Sequence, residues 1–336
     1  MRKPFSSAHF PPAACSLLLL LAVSLVLSSC KSKPVPVSAP ELPLPSLVFE
    51  KVDADDPAHL NLSYTLEAKN PFPLAVQVKL VSWRVELNGR KAGAGFNLED
   101  GEALDFTIKE AAGGGGPSSV SISVRLSMDL DALAAEGLAP ADDYKANLIL
   151  ELNFSPDAEA AKLVENVKSK KSSRKKSAAE AGEFNYDSIP SVTLEVSGPA
   201  AFPGVRPPEF SITAIAILKA ELINTRFRVG LKIDNPNPYP VELSAFAYEL
   251  FGNGRLWADG AEKNIIKVPG KSSVRGNLFL IMNFINMKRD LLDQIIRLED
   301  VNYRFAGEVQ VSTGVEYLPK FKTGFDLSGF SQVLEN

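Results

Sequence analysis

Few side chains in this chain can do chemistry, and the best placed of them is a thiol. Among 336 residues there are two cysteines and two histidines. Cys30 closes the run Leu27-Ser28-Ser29-Cys30, at the end of an apolar stretch from Leu17 to Leu27 that follows Arg2 and Lys3. That order of residues suits export, cleavage beside the small side chains and modification of the thiol. The apolar stretch has the length of a signal-peptide core and is too short to span a bilayer stably. Residues 1–29 therefore read as a signal peptide, and processing would remove Cys15 and His9 with it. No disulfide, cysteine nucleophile or cysteine-based zinc site could then form.

The remaining candidates are weaker. His59 lies in the polar run Asp53–His59, which reads as a loop, with Asp55 and Asp56 beside it. A weak cation contact is the most these groups offer, because no second histidine can complete a metal site. No Gly-x-Ser-x-Gly motif or phosphate-cradling loop occurs. Gly113–Gly116 has no following lysine and helix, so it reads as a flexible connector. Glu99-Asp100 and Glu299-Asp300 fall beside expected turns. The expectation is a protein without catalytic residues, cofactor or metal, and not an enzyme.

One further cluster could make contacts. Lys168, Lys170, Lys171, Arg174, Lys175 and Lys176 stand among serines inside an insertion spanning residues 155–188. Ser155-Pro156 can cap a helix running to about Val167. The basic run suits anionic lipid headgroups or cell-wall polymer, and it equally suits a solvated loop. The whole chain carries a formal charge of −4, which becomes about −6 once Arg2 and Lys3 are removed, so nucleic acid is not expected as a partner. No second apolar run approaches the length of a membrane span.

The Leu27–Cys30 motif resembles the lipobox of bacterial lipoproteins. That resemblance implies cleavage before Cys30, a thioether-linked diacylglycerol and an added acyl chain such as palmitate. Two or more lipid tails anchor stably where one is marginal. Residues 30–45 then form a lipidated tether rich in proline (Pro34, Pro36, Pro40, Pro43, Pro45), extended at roughly 3.1 Å per residue. The expected location is the cell envelope, lipid-anchored. Lys31 follows the cysteine, and no aspartate stands there to signal inner-membrane retention, so the outer membrane or periplasmic face is favoured.

The rest of the chain contains one unit twice. With Asn70 laid on Asn235, residues 70–95 align without a gap on 235–260. Asn70, Pro71, Pro73, Val76, Asn88, Gly89, Arg90 and Gly95 recur as Asn235, Pro236, Pro238, Val241, Asn253, Gly254, Arg255 and Gly260. The apolar phase matches as well, at Val81/Phe246, Trp83/Tyr248 and Val85/Leu250. Leu62, Tyr64, Leu66 and Ala68 alternate with polar residues, as do Phe227, Val229, Leu231 and Ile233, which is the signature of a half-buried strand. Asn-Pro-x-Pro should end that strand, because proline cannot donate to a ladder. Strands are expected at Val78–Leu87 and Leu243–Phe251, each closing on an Asn-Gly hairpin (Asn88-Gly89 and Asn253-Gly254). Further strands fit Val120–Leu130 and Val274–Phe284, Ala146–Phe154 and Tyr303–Val311, then Val192–Val196 and Phe321–Leu327. Met287–Leu298 has apolar residues at helical spacing and reads as a short crossover helix. The fold expected is all-β, two immunoglobulin- or fibronectin-like sandwiches in tandem, each with such a helix.

Asn235-Pro236-Asn237-Pro238-Tyr239-Pro240-Val241, with Tyr248-Glu249-Leu250, Asn253-Gly254, Ala258-Asp259-Gly260 and Val268-Pro269-Gly270-Lys271-Ser272, resembles the WHy domain (water stress and hypersensitive response) of the group-2 late-embryogenesis-abundant family. The resemblance covers about Pro207–Phe330 well and Leu44–Ser197 more loosely, since Phe72 stands where the family often has a polar residue. The units are placed at 46–200 and 207–332. What the resemblance implies is a non-catalytic role in desiccation or stress tolerance, through contacts with client proteins or membranes. Two other classes stay open: an envelope module that binds or transfers lipid through its acyl chains, and a structural adaptor for a partner protein.

Overall fold

The computed structural model describes residues 41–95, 104–111, 117–162, 191–220, 224–283, 301–331 and 333–335. All of these but Glu41 belong to one compact unit, Leu42–Lys162 with Pro190–Asn336. Strands dominate it, and they pair into four sheets that stack as two sandwiches.

The first sandwich is built from β1 (Ser46–Ala54), β2 (His59–Asn70), β3 (Val76–Leu87), β4 (Arg90–Gly95), β5 (Asp105–Ile108), β6 (Ser118–Asp129), helix α1 (Leu130–Ala135), β7 (Asp143–Pro156) and β8 (Val192–Pro203). One sheet has the order β1-β2-β6 and the other β4-β3-β7-β8, with β5 also on β3. The second repeats this with β9 (Glu209–Ala220), β10 (Asn224–Asn235), β11 (Val241–Gly252), β12 (Arg255–Glu262), β13 (Ile266–Val268), β14 (Ser272–Asn283), β15 (Val301–Ser312) and β16 (Lys320–Ser331). Its sheets run β14-β10-β9 and β12-β11-β15-β16, with β13 on β11. A last strand, β17 (Val333–Glu335), joins β9 in parallel. Every strand of the first unit has its counterpart in the second, as a duplicated sequence requires.

Alternation drives this packing. Leu60, Leu62, Tyr64 and Leu66 of β2 face the first core with Leu148, Leu150 and Leu152 of β7. Phe227, Val229, Leu231 and Ile233 of β10 face the second with Leu250 and Phe305. Full burial of each such side chain stabilises the fold by about 1.5–3 kcal/mol. Both Asn-Gly pairs have positive φ at each residue, 51° and 77° at Asn88-Gly89 and 47° and 75° at Asn253-Gly254, which is the type I′ turn. The repeated Gly95 and Gly260 are explained by their register partners. Trp83 and Tyr248 lie across them, and a β-carbon on Gly260 would stand 2.7 Å from the Tyr248 hydroxyl.

Several expectations need correction. The insertion does not begin at Ser155, because Ser155 and Pro156 still pair with Gln77 and Val76 in the ladder. A helical turn starts only at Ala158, after Asp157, whose backbone carbonyl accepts from Ala161. The polar run Asp53–His59 is not one loop, since Asp53 and Ala54 end β1 and His59 opens β2. Val81 does not share the buried phase of Phe246. The ladder of β3 slips between Leu80 and Ser82 and turns Val81 outward, whereas in β11 the slip falls between Ser244 and Ala247, at Ala245 with φ 50°. The crossover helix of the first unit is α1, capped by the Asp129 carboxylate on Ala132 N, where an unbroken strand to Leu130 was expected. Met287–Leu298, Gly113–Gly116 and both Glu-Asp pairs (Glu99-Asp100, Glu299-Asp300) lie outside the described residues, in whole or in greater part.

Candidate functional site: the Asn-Pro-x-Pro loops and the junction

The two Asn-Pro-x-Pro loops leave β2 and β10 at the same structural position. Asn70 is fully buried, and its amide donates to the carbonyls of Leu74 at 2.6 Å, Lys109 at 2.9 Å and Ile108 at 3.3 Å. Its side-chain oxygen accepts from Phe72 N at 2.9 Å. Asn235 makes the same set, donating to Tyr239, Val268 and Pro269 carbonyls at 2.8, 3.2 and 3.1 Å and accepting from Asn237 N at 3.0 Å. One side chain thereby satisfies carbonyls that a proline-broken ladder leaves unpaired, and staples the loop to the end of the short strand opposite. Pro71, Pro73, Pro236 and Pro238 shape these loops.

The loops differ at their third residue. In the second copy Asn237 replaces Phe72 and is fully buried. Its side chain holds the backbone of Arg206 from both sides, donating to Arg206 O and accepting from Arg206 N, each at 2.8 Å. Lys271 N closes on the Asn237 carbonyl at 2.8 Å. Asn237 therefore fastens the segment that joins the two sandwiches.

Around it the junction is dense. The Arg206 guanidinium donates to Asp142 of the first sandwich and to the Pro236 carbonyl, and Lys271 meets the same carboxylate at 2.6 Å. The hydrogen bond from Lys271 holds the Asp142 carboxyl below its ordinary range, against a smaller upward push from desolvation. The Tyr239 hydroxyl donates to Gly204 O at 2.8 Å, and burial pushes its pKa up to about 12. Tyr317 donates to Pro203 O at 2.6 Å and packs edge-on against Phe202. Val205 and Ala54 reach the core of the second sandwich. A β-carbon on Gly204 would stand 2.1 Å from the Ala141 carbonyl oxygen, so only glycine fits there. Beside the junction lies an open cleft of about 760 Å³ lined by Phe49, Phe202, Tyr239, Tyr317 and Glu316 among others.

His59 is exposed at the start of β2. Its Nδ1 meets Asp56 at 2.9 Å, and Nε2 lies 4.0 Å from Asp129. The Asp56 hydrogen bond raises the imidazole pKa. Desolvation pushes Asp56 itself up, but hydrogen bonds from the His59 side chain and from the His59 and Ala58 backbones outweigh it and leave the carboxyl below its usual value. Among the described residues no group of three or more His, Cys, Asp and Glu side chains is placed to hold a metal ion. Leu27, Ser28, Ser29 and Cys30 lie outside the described residues, as do Lys168, Lys170, Lys171, Arg174, Lys175 and Lys176. No described helix is long and apolar enough to cross a membrane. Arg206 and Asp142 were missed by sequence reasoning, and Asn237 and Lys271 entered it only within the family motif, without this role.

Residues 230–320 match the family model described as late embryogenesis abundant protein. The second sandwich carries a domain of that type. No curated protein matches the chain. Among solved structures, a protein from Archaeoglobus fulgidus is 20% identical, with 37% of this chain covering 96% of that one at a TM-score of 0.23. Red sea bream transglutaminase is 11% identical over 89% of this chain and 32% of its own, with a TM-score of 0.24. A Bacteroides uniformis beta-glucuronidase is 9% identical over 79% and 26%, with a TM-score of 0.20. The chain thus spans about a third or less of either enzyme, and no activity passes from them to it.

Proposed function

We propose that the protein is an exported lipoprotein, processed before Cys30 and held at the cell envelope by lipid on that residue, which acts in stress tolerance by binding client proteins or membranes and not by turnover. The match of residues 230–320 to the late-embryogenesis-abundant model carries the reading. The Asn70 and Asn235 networks support it, because each motif amide is engaged in holding its own loop. The lipid-transfer alternative would need space between the sheets, yet Phe227, Phe246, Phe305 and the leucines of β2 and β7 occupy both interiors.

Two measurements test this. Fractionation of cells expressing Cys30→Ser should find the protein released from the membrane fraction, and full retention would remove the lipid anchor from the reading. The mature chain from residue 30 with Cys30→Ser, added to a labile enzyme through drying or freeze–thaw, should preserve more activity than an equal mass of albumin. Hydrolysis or transfer of an envelope substrate, abolished by a single substitution, would overturn the non-catalytic assignment.

A further inference from the structure

The first sandwich supplies an internal reference for how the three-stranded face of this fold looks in water. On the outward side of β2 stand Asn61, which is exposed, Thr65, which is half-buried, and Ser63, which is buried, while β6 presents exposed Ser119, Ser121, Ser123, Arg125 and Ser127. Asn61 pairs with Ser127 and Ser63 with Arg125 across the ladder. The equivalent pairs in the second sandwich are Arg226 with Ile281 and Arg228 with Phe279. Asn61, Ser63, Arg125 and Ser127 thus correspond to Arg226, Arg228, Phe279 and Ile281, and the second face gains one guanidinium group and two large apolar side chains. Phe279 is 64% exposed and Ile281 62% exposed, on alternate positions of one strand.

The patch has a place and a charge. Asn235 and Ser272 mark the junction end of the β10–β14 ladder, and Arg226 with Ile281 lies nine pairs further on, roughly 30 Å away. Trp257 stacks on Phe227 at 5.7 Å at this far end, which also brings exposed Leu256 there. Arg275 and Lys232 continue the cationic row toward the junction. Among the described residues the carboxylates on this face are Asp234 and Glu209, which stand opposite each other at the junction end, and Asp234 is held by Lys232 at 2.6 Å. A chain with net negative charge thus gathers arginine around exposed Phe and Ile at one end. Arginines that meet phosphate beside side chains that enter the acyl boundary are the chemistry of an anionic interface.

We propose that the outer face of β10 and β14 at the far end of the second sandwich, formed by Arg226, Arg228, Phe279 and Ile281, is a docking surface for an anionic lipid bilayer. This deepens the binding role proposed above and rests on it. The mature chain with Cys30→Ser is mixed with vesicles of phosphatidylglycerol in phosphatidylcholine, and with phosphatidylcholine alone, and sedimented at low and high salt. Binding is expected to need phosphatidylglycerol and to fall as salt rises. Phe279→Ser with Ile281→Ser, and separately Arg226→Asn with Arg228→Ser, should each weaken it about tenfold. The Phe279→Ser, Ile281→Ser variant should keep the melting temperature of the parent, since both side chains are exposed. Deleting Lys168–Lys176 should leave most of the binding in place. The converse graft at the exposed positions, Asn61→Arg, Arg125→Phe and Ser127→Ile, should strengthen it. Binding unchanged in both double variants, or abolished by the loop deletion alone, would overturn the proposal. So would capture of a soluble protein by this face with no vesicle binding. Loss of vesicle binding in a variant that still protects the labile enzyme would confirm the docking face as separate from protection. Protection that fails in the parent while vesicle binding persists would sink the stress reading and leave the face standing.

Discussion

The two sandwiches share the pairing of their eight corresponding strands, and among their differences two concern surfaces: the third residue of the Asn-Pro-x-Pro loop, and the outer face of the three-stranded sheet. Where they agree, the residues hold the fold. Asn70 and Asn235 tie the same carbonyls, and the Asn-Gly turns have the same φ pattern. At these two places the second copy's residues face outward or toward the other sandwich. Phe72 is buried, while Asn237 grips Arg206, and Arg125 and Ser127 of β6 give way to Phe279 and Ile281 of β14. Within a duplicated chain, identities point to architecture and differences point to what each copy was free to do.

The hardest break falls on the shared staple. Asn235→Ala should cost about 3 kcal/mol, because several buried carbonyls lose their donor at once, and Asn70→Ala should cost the same within error. Chemical denaturation of each variant would check the equality, and a near-neutral result at either site would mean water replaces the amide. Asn237→Phe, which gives the second copy the first copy's residue, should leave the staple intact and free the Arg206 backbone. Hydrogen exchange should then rise at Gly204–Arg206 before it rises in β10.

A smaller perturbation asks whether the copies melt apart. The duplicated sequence suggests two separable transitions, but Val205 and Ala54 pack on the second core and Asp142 bridges to Arg206 and Lys271. Gly254→Val should destabilise its sandwich by about 1–3 kcal/mol through strain at positive φ. Exchange in β7 and β8 should quicken with it, though by less. Confinement of the effect to β9–β16 would show that the junction transmits nothing.

The smallest effect belongs to the first copy alone. His59 has a raised pKa, so what it contributes is fully present below its unfolded value near 6.5 and is lost as pH rises through the folded value. His59→Gln should flatten that part of the stability profile, and an NMR titration should find the imidazole above its usual pKa. A shift in the other direction would exclude the Asp56 pairing.

Much of this architecture was legible in residue types. Alternation fixed β2 and β10, and Asn-Gly fixed two hairpins, because both signals arise from neighbours in the chain. The strands β1 and β9 lacked such marks and were not resolved. The ladder slip at Val81 hid as well, since a bulge reverses inward and outward without changing composition. The junction was the least readable part. Asp142, Arg206, Asn237 and Lys271 come from four separate connections, and their meeting depends on how two finished sandwiches abut. The serine row of β6 against Arg275, Phe279 and Ile281 of β14 was present in the sequence all along, and it acquires meaning only once the ladder shows which of them point the same way.

Gly204, pressed against the Ala141 carbonyl, makes the connection between the sandwiches a welded joint and not a swivel. A swivel would let the far face sample many directions, and any surface catching it would have to freeze that freedom, at a cost in entropy. A welded joint has already lost it during folding. Whatever meets Phe279 and Ile281 therefore meets a face whose heading is set by the first sandwich, and a single added methyl at residue 204 would unset it.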